Sequence, residues 1–241
     1  MESYDVKCFD FHFNSRGDVF YSPVPGYDME RIASSGRTET VLNIRPKIIL
    51  AIHVNIHDEL MVGLRDNGDK YILSKDSSRQ IVTFNSDFET KTIVEYDIFG
   101  KRLFTYVARI VTDTKDQMYV IDWLNHDNTG RIIGLEMNGK LKFIYDGYPD
   151  VNMLFAPFNP EGLAISPNNN VIVSDVDNST LHVLNTYGEL IAVQNTTKIG
   201  IIYPYSLSFD MSDQLLIGCI TDGTEHAAHG KLHIVDVLSS I

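Results

Sequence analysis

One pattern constrains the fold more than any other: an alternating apolar strand, a short polar turn and a second alternating strand recur five times, at residues 8–23, 49–64, 107–122, 160–175 and 204–219. The turn residues Gly17, Asp58, Asp116, Asn169 and Asp213 fall into one column. Six positions earlier stand Phe11, Ile52, Ile110, Leu163 and Leu207, and four earlier Phe13, Val54, Thr112, Ile165 and Phe209. Two positions later come Val19, Leu60, Met118, Val171 and Leu215, and four later Tyr21, Val62, Val120, Val173 and Ile217. Only Thr112 interrupts these apolar columns. Side chains two apart share one face of a strand, so the register describes a hairpin whose buried face is rebuilt five times. Successive turns lie 41, 58, 53 and 44 residues apart, close to the period of four-stranded propeller blades. The expected class is therefore an all-β propeller with five blades visible, occupying residues 1–241 as one domain.

Each hairpin is followed by material for two outer strands. Residues 30–33 and 38–42 supply them in the first repeat, 131–136 and 141–145 in the third, and 180–185 and 190–194 in the fourth, each pair around a Gly-containing turn. The second repeat allows two registers. The preferred one places strands at 79–85 and 90–96 and leaves 66–78 as a long loop; the other starts strand three at 92 and uses Phe99-Gly100-Lys101 as its turn. The fifth repeat ends early, with a polar loop at 221–230 and one further strand at 232–237, so its fourth strand is missing. Residues 3–7 are the spare segment able to complete it; otherwise the ring is open and its unpaired edges invite self-association.

Composition narrows the partners. The chain carries 20 Lys+Arg against 32 Asp+Glu, a net charge of −12, which repels phosphate backbones and anionic lipid. Nucleic acid and membranes therefore fall behind protein or peptide ligands. Two cysteines, Cys8 and Cys219, are too few for a disulfide framework or a four-ligand zinc site. With no charged-then-apolar leader and no membrane-length apolar run, the expectation is a soluble, cytoplasmic protein.

The motifs PEGLAISPNNNVIVSDVDNSTLHVLNTYGELI (160–191) and ARIVTDTKDQMYVID (108–122) resemble NHL repeats. The order of GDVFYS (17–22), ELMVGL (59–64), RQIVTFNSDFE (79–89), YVIDW (119–123) and GKLKFIYDG (139–147) is similar to the C-terminal propeller of tripartite-motif proteins of the expanded invertebrate type. That resemblance implies a partner-binding role beside a ubiquitin ligase. It also implies six blades where five align here, and a RING, B-box and coiled coil that this sequence lacks. The resulting expectation is a non-catalytic interaction module with no cofactor and no metal.

In a propeller the start of strand one and the end of strand two meet on one face. Here that face would carry Arg65, Asp66, Arg109, Asp122, Trp123, Asn125, His126, Glu161, Asp175, Asp177 and Tyr205. Aromatic and Arg side chains on such a rim are the usual anchors of a protein interface, and Trp123 is the only tryptophan. A second class of function reads Asp122, Asp175 and Glu161 as oxygen donors to a central cation. Pro160-Glu161-Gly162-Leu163 is similar to a Pro-Asp-Gly stretch in gluconolactonase-like propellers, which implies metal-dependent lactone hydrolysis. The column eight before the turn reads Phe9, Leu50, Ala108, Glu161 and Tyr205, however, and one carboxylate in five argues against that site. An RNA-binding adaptor ranks third, because the rim mixes two arginines with a larger number of acids. His53 and His182 interrupt strands and are expected to face away from the columns that define the blade core. His226 and His229 fall in a loop without the carboxylate-bearing helix of a zinc protease.

Overall fold

The structure, a computed structural model, describes residues 7–153, 155–219 and 230–235. It is all-β, with five antiparallel sheets laid out as the blades of a propeller. The first is β1 (Cys8–Phe13), β2 (Val19–Pro23), β3 (Asp28–Ile32) and β4 (Thr38–Asn43). The second is β5 (Ile48–Val54), β6 (Leu60–Arg65), β7 (Arg79–Phe84) and β8 (Thr90–Val94). The third is β9 (Val107–Thr112), β10 (Met118–Trp123), β11 (Gly130–Leu135) and β12 (Leu141–Tyr145). The fourth is β13 (Pro160–Ile165), β14 (Val171–Asp175), β15 (Thr180–Leu184) and β16 (Leu190–Asn195). The fifth has three strands among the described residues: β17 (Pro204–Phe209), β18 (Leu215–Cys219) and β19 (Lys231–Val235). Within each sheet the strands pair in chain order.

The turn column has a physical cause. Gly17, Asp58, Asp116, Asn169 and Asp213 all adopt positive φ, from 56° to 79°, the left-handed conformation that closes a tight hairpin. Three positions earlier stands an oxygen-bearing side chain, Asn14, Asn55, Asp113, Ser166 or Asp210, which accepts N–H bonds from the backbone inside the turn. Asn55 Oδ1, for example, takes His57 N at 3.0 Å and Glu59 N at 2.9 Å. Asp210 Oδ1 takes Ser212 N at 2.8 Å and Gln214 N at 2.9 Å. Such turns preorganise the register, and the pairs Phe11↔Tyr21, Ile52↔Val62, Leu163↔Val173 and Leu207↔Ile217 match the column alignment.

The second repeat follows the register with strands at 79 and 90, and Phe99-Gly100-Lys101 forms a small turn beneath the bridge Tyr96↔Arg102. One expectation changes. The columns are buried or half-buried in four repeats, but Phe11 and Phe13 in the first are 54% and 55% exposed. His53 and His182, on the strand face opposite the columns, are both buried. The segment expected to complete the last blade, residues 3–7, falls outside the described residues except for Lys7, whose carbonyl accepts Val24 N–H and so extends the β1–β2 ladder. The loop 221–229, with His226 and His229, also lies outside them, as do residues 236 and 237 of the expected last strand.

The chain divides into two compact units, Met1–Ile110 with Asn138–Lys140, and Val111–Met137 with Leu141–Ile241. In the first unit Ile52, Val54, Leu60 and Val62 pack on Phe20 and Met29 of the first blade. In the second unit Leu207, Phe209, Leu215 and Ile217 pack on Ile172 and Leu181 of the fourth. Among the described residues no helix is long and apolar enough to cross a membrane.

Candidate functional site

In the first unit Arg65 and Asp66 serve the loop that follows them. Arg65 Nη1 donates to the carbonyls of Asp66 and Gly68, both at 2.9 Å. The Asp66 carboxylate accepts Gly68 N at 2.6 Å, Ser78 N at 2.7 Å and the Arg79 guanidinium. Burial pulls this carboxyl upward, but the two backbone N–H bonds and Arg79 outweigh it and hold it below the usual carboxylate range. Arg79 itself is fully buried and donates to the carbonyls of Thr105 and Ser78, each at 2.9 Å, and to that of Asp69. A single guanidinium thus closes the 66–78 loop, using the planar fork that a lysine lacks.

Arg109 belongs to a different group. Its Nη1 lies 3.8 Å from Asp10 Oδ1. Asp10 Oδ2 accepts the Ile52 N–H at 2.9 Å and so caps a backbone donor of β5, and His12 Nδ1 lies 3.3 Å from Val54 N on the same strand. The rings of His12 and His53 meet edge to face at 4.6 Å between centroids. Burial raises the Asp10 carboxyl despite Arg109, and burial lowers the His12 imidazole. Burial, with His12 alongside, pulls His53 down to about 3. Four ionisable groups with perturbed or paired charges thus gather on the strands β1, β5 and β9, a combination that marks functional sites. Of these residues only Arg109 was expected at the rim. Asp10 and His12 alternate with Phe9, Phe11 and Phe13 in the sequence, and a polar residue at every second position reads as the solvent face of a strand.

In the second unit the expected rim acids are engaged by neighbouring side chains. Buried Asp122 forms an ion pair with Arg131, whose Nε donates at 3.0 Å and Nη2 lies at 2.9 Å. Buried Glu161 accepts Asn128 Nδ2 at 3.0 Å. Asp175 is held from several sides: by Asn152 Nδ2 at 2.6 Å, by Asn178 Nδ2 at 2.9 Å and by Asn159 N at 3.2 Å. His182 Nε2 lies 3.6 Å from the same carboxylate, while its Nδ1 shares a 2.7 Å bond with the Tyr145 hydroxyl. Asp177 accepts Asn159 Nδ2 at 2.8 Å. Trp123 Nε1 donates to the Pro160 carbonyl at 2.9 Å, which ties the end of β10 to the start of β13. His126 is exposed on a turn organised by the Asn125 carboxamide, and Tyr205 is 36% exposed. Among the described residues no three His, Cys, Asp or Glu side chains gather as a metal site. Asp122, Asp175 and Glu161 therefore do not gather as one donor set for a shared cation.

The NHL repeat model matches residues 159–184. No curated protein matches the chain by sequence. Among solved structures, a protein of unknown function from Bacteroides caccae is similar at 16% identity and a TM-score of 0.66, over 95% of this chain and 78% of that one. A gluconolactonase from Xanthomonas campestris is similar at 15% identity and a TM-score of 0.62, over 97% and 78%. Virginiamycin B lyase from Staphylococcus aureus is similar at 11% identity and a TM-score of 0.55, over 97% and 86%. These likenesses corroborate the propeller and the NHL repeat, and they correct one expectation. The non-catalytic role drawn from the tripartite-motif resemblance is overturned, because propellers of this same fold are lactonase and lyase enzymes. At such identities the likeness reaches the fold and stops there.

Proposed function

We propose that the chain is a propeller enzyme that hydrolyses a small ester or lactone at Asp10, His12 and Arg109. The observation that carries this reading is the ionisable cluster on β1, β5 and β9. His12 Nδ1 lies 2.9 Å from the Phe13 carbonyl, and the tautomer that donates to this carbonyl has Nε2 as its basic nitrogen. With its pKa lowered by burial, that imidazole is neutral at pH 7 and can take a proton from an attacking water. The hydroxide adds to the ester carbonyl, the Arg109 guanidinium stabilises the oxyanion, and the alkoxide leaves with the proton returned from His12. Asp10 orients Arg109 through their ion pair. The gluconolactonase relative supports a lactone as substrate, although the metal-dependent route finds no fitting donor set among the described residues.

The test is a panel of aldonolactones and aryl esters, assayed with and without chelator. His12→Gln is expected to lower kcat/KM about 10²- to 10⁴-fold. Arg109→Gln is expected to lower kcat by about 10²-fold. Activity that resists both substitutions, or no turnover across the panel, overturns the assignment. Activity abolished by chelator and restored by a divalent cation would return the reaction to a metal held elsewhere.

A second reading, binding of a protein partner, is supported by the NHL repeat at 159–184 and by exposed His126, on a turn, and Tyr205, at the start of β17. Tyr205→Ala should then remove a partner from affinity capture while leaving lactone turnover unchanged.

A further inference from the structure

The joint between blades has two sides, and among the described residues each side occurs once with its apolar side chains exposed. One side is the column face. Ile52, Val54, Leu60 and Val62 carry it in the second blade, buried against the first, and buried Leu215 and Ile217 with half-buried Leu207 and Phe209 carry it in the fifth, packed against the fourth. The other side is the opposite face of the preceding blade, made in the fourth by Ile172 and Leu181 and by Val183 beside them, all buried.

In the first blade the column face carries Phe11 and Phe13, which are 54% and 55% exposed and stack edge to face at 5.8 Å. The fifth blade presents the opposite face. Its pairs Leu216↔Ile234 and Gly218↔Leu232 stand where the fourth has Ile172↔Val183 and Ser174↔Leu181. Leu232 and Ile234 are 65% and 61% exposed, although their equivalents Leu181 and Val183 are buried. Residues that repeat a joint position for position retain its chemistry, and large unpaired apolar faces on a propeller blade mark an interaction surface.

We propose that these faces pair between two copies of this chain, the fifth blade of one copy docking on the first blade of the other. The occupant follows from the chemistry, since the surface that fits a column face within this fold is the opposite face of another blade, and the chain presents one of each. A head-to-tail contact of this kind closes as a ring or extends as a filament.

The full chain should behave as at least a dimer in light scattering coupled to size exclusion, dissociating on dilution. Phe11→Asp and Ile234→Asp each place a charge in the joint, and each should weaken assembly roughly thirtyfold or more, the factor expected for loss of a buried interface anchor. Each variant keeps one good face, so an equimolar mixture should regain a dimer and no larger species. If either variant fails to fold by circular dichroism, hydrogen exchange on the wild type decides. Concentration-dependent protection confined to β1 and β19 supports the joint. A wild type that stays monomeric, a mixture that stays monomeric, or protection of β1 independent of concentration overturns it, the last by showing that the face is covered within one chain.

Discussion

Asp213 sits at φ 60°, a conformation that costs a residue with a Cβ about 1 kcal/mol, and Asp210 three positions earlier offsets that cost by bonding two N–H groups of the same turn. The two effects separate by mutation. Asp213→Val should destabilise the protein by about 1–2 kcal/mol in urea titration, Asp213→Gly should stay within a few tenths, and Asp210→Ala should cost about 1 kcal/mol. Equal losses for Val and Gly would refute the conformational argument. His53 supports a pH prediction. Its folded pKa, about 3, lies below the unfolded value of 6.5, so the unfolded chain binds the extra proton between those limits. The stability it contributes is complete above pH 6.5 and is lost as pH falls towards 3. His53→Gln should flatten the decline between pH 6.5 and 4 by about 1 kcal/mol per pH unit, read from denaturant midpoints. Asp10, raised by burial, contributes in the opposite sense as pH rises from 3.8, so the comparison must be made between proteins that both retain it. The turn column was legible because left-handed φ restricts residue type to Gly, Asn and Asp. The burial of His53 was not, because alternation tells which face a residue takes and not what covers that face.

At the scale of elements, the 66–78 loop shows what a single buried charge organises. Arg79 begins β7 and has no solvent exposure, yet its guanidinium is satisfied by Asp66 and a set of loop carbonyls. Removing it leaves those carbonyls without this donor and the Asp66 carboxylate without its cationic partner, a loss of about 3 kcal/mol for a broken pair of this kind. Arg79→Met should therefore accelerate tryptic cleavage at Lys70 and Lys75 while blade strands remain protected, as mass spectrometry of timed digests would show. Unchanged cleavage would mean that Arg65, bonded to Asp66 and Gly68, holds the loop alone. The loop's limits follow from the two apolar runs around it, which is why the second repeat could be assigned from sequence. Its anchor could not be, since an arginine opening a strand ordinarily reads as solvent-exposed. The candidate catalytic group was hidden similarly: Asp10 and His12 lie on the polar alternation of β1, and only folding brings β5 donors and Arg109 against them. The rim acids illustrate the converse. Asp122, Glu161 and Asp175 share a face in the register, but the partners that occupy them come from Arg131, Asn128, Asn152 and Asn178, which no column predicts.

For the whole molecule, the dominant long-range term is an acidic excess of twelve charges. Folding concentrates that charge, so self-repulsion opposes the compact state and is relieved by screening. Between about 10 mM and 150 mM NaCl the screening length falls from roughly 30 Å to about 8 Å, short enough to uncouple acids on different blades. The melting temperature should therefore rise by a few degrees over that range and then level off, because the ion pairs Arg131–Asp122 and Arg79–Asp66 are sheltered from salt by burial of one partner. Reversing two exposed acids, Asp87→Lys and Asp127→Lys, should flatten the dependence without touching either pair. A melting temperature that falls with salt would show that attractive pairs outweigh the net repulsion. A slope unchanged by the reversals would place the salt effect on the apolar faces of the first and fifth blades, whose exposed Phe11, Phe13, Leu232 and Ile234 respond to salt through solvation and not through charge.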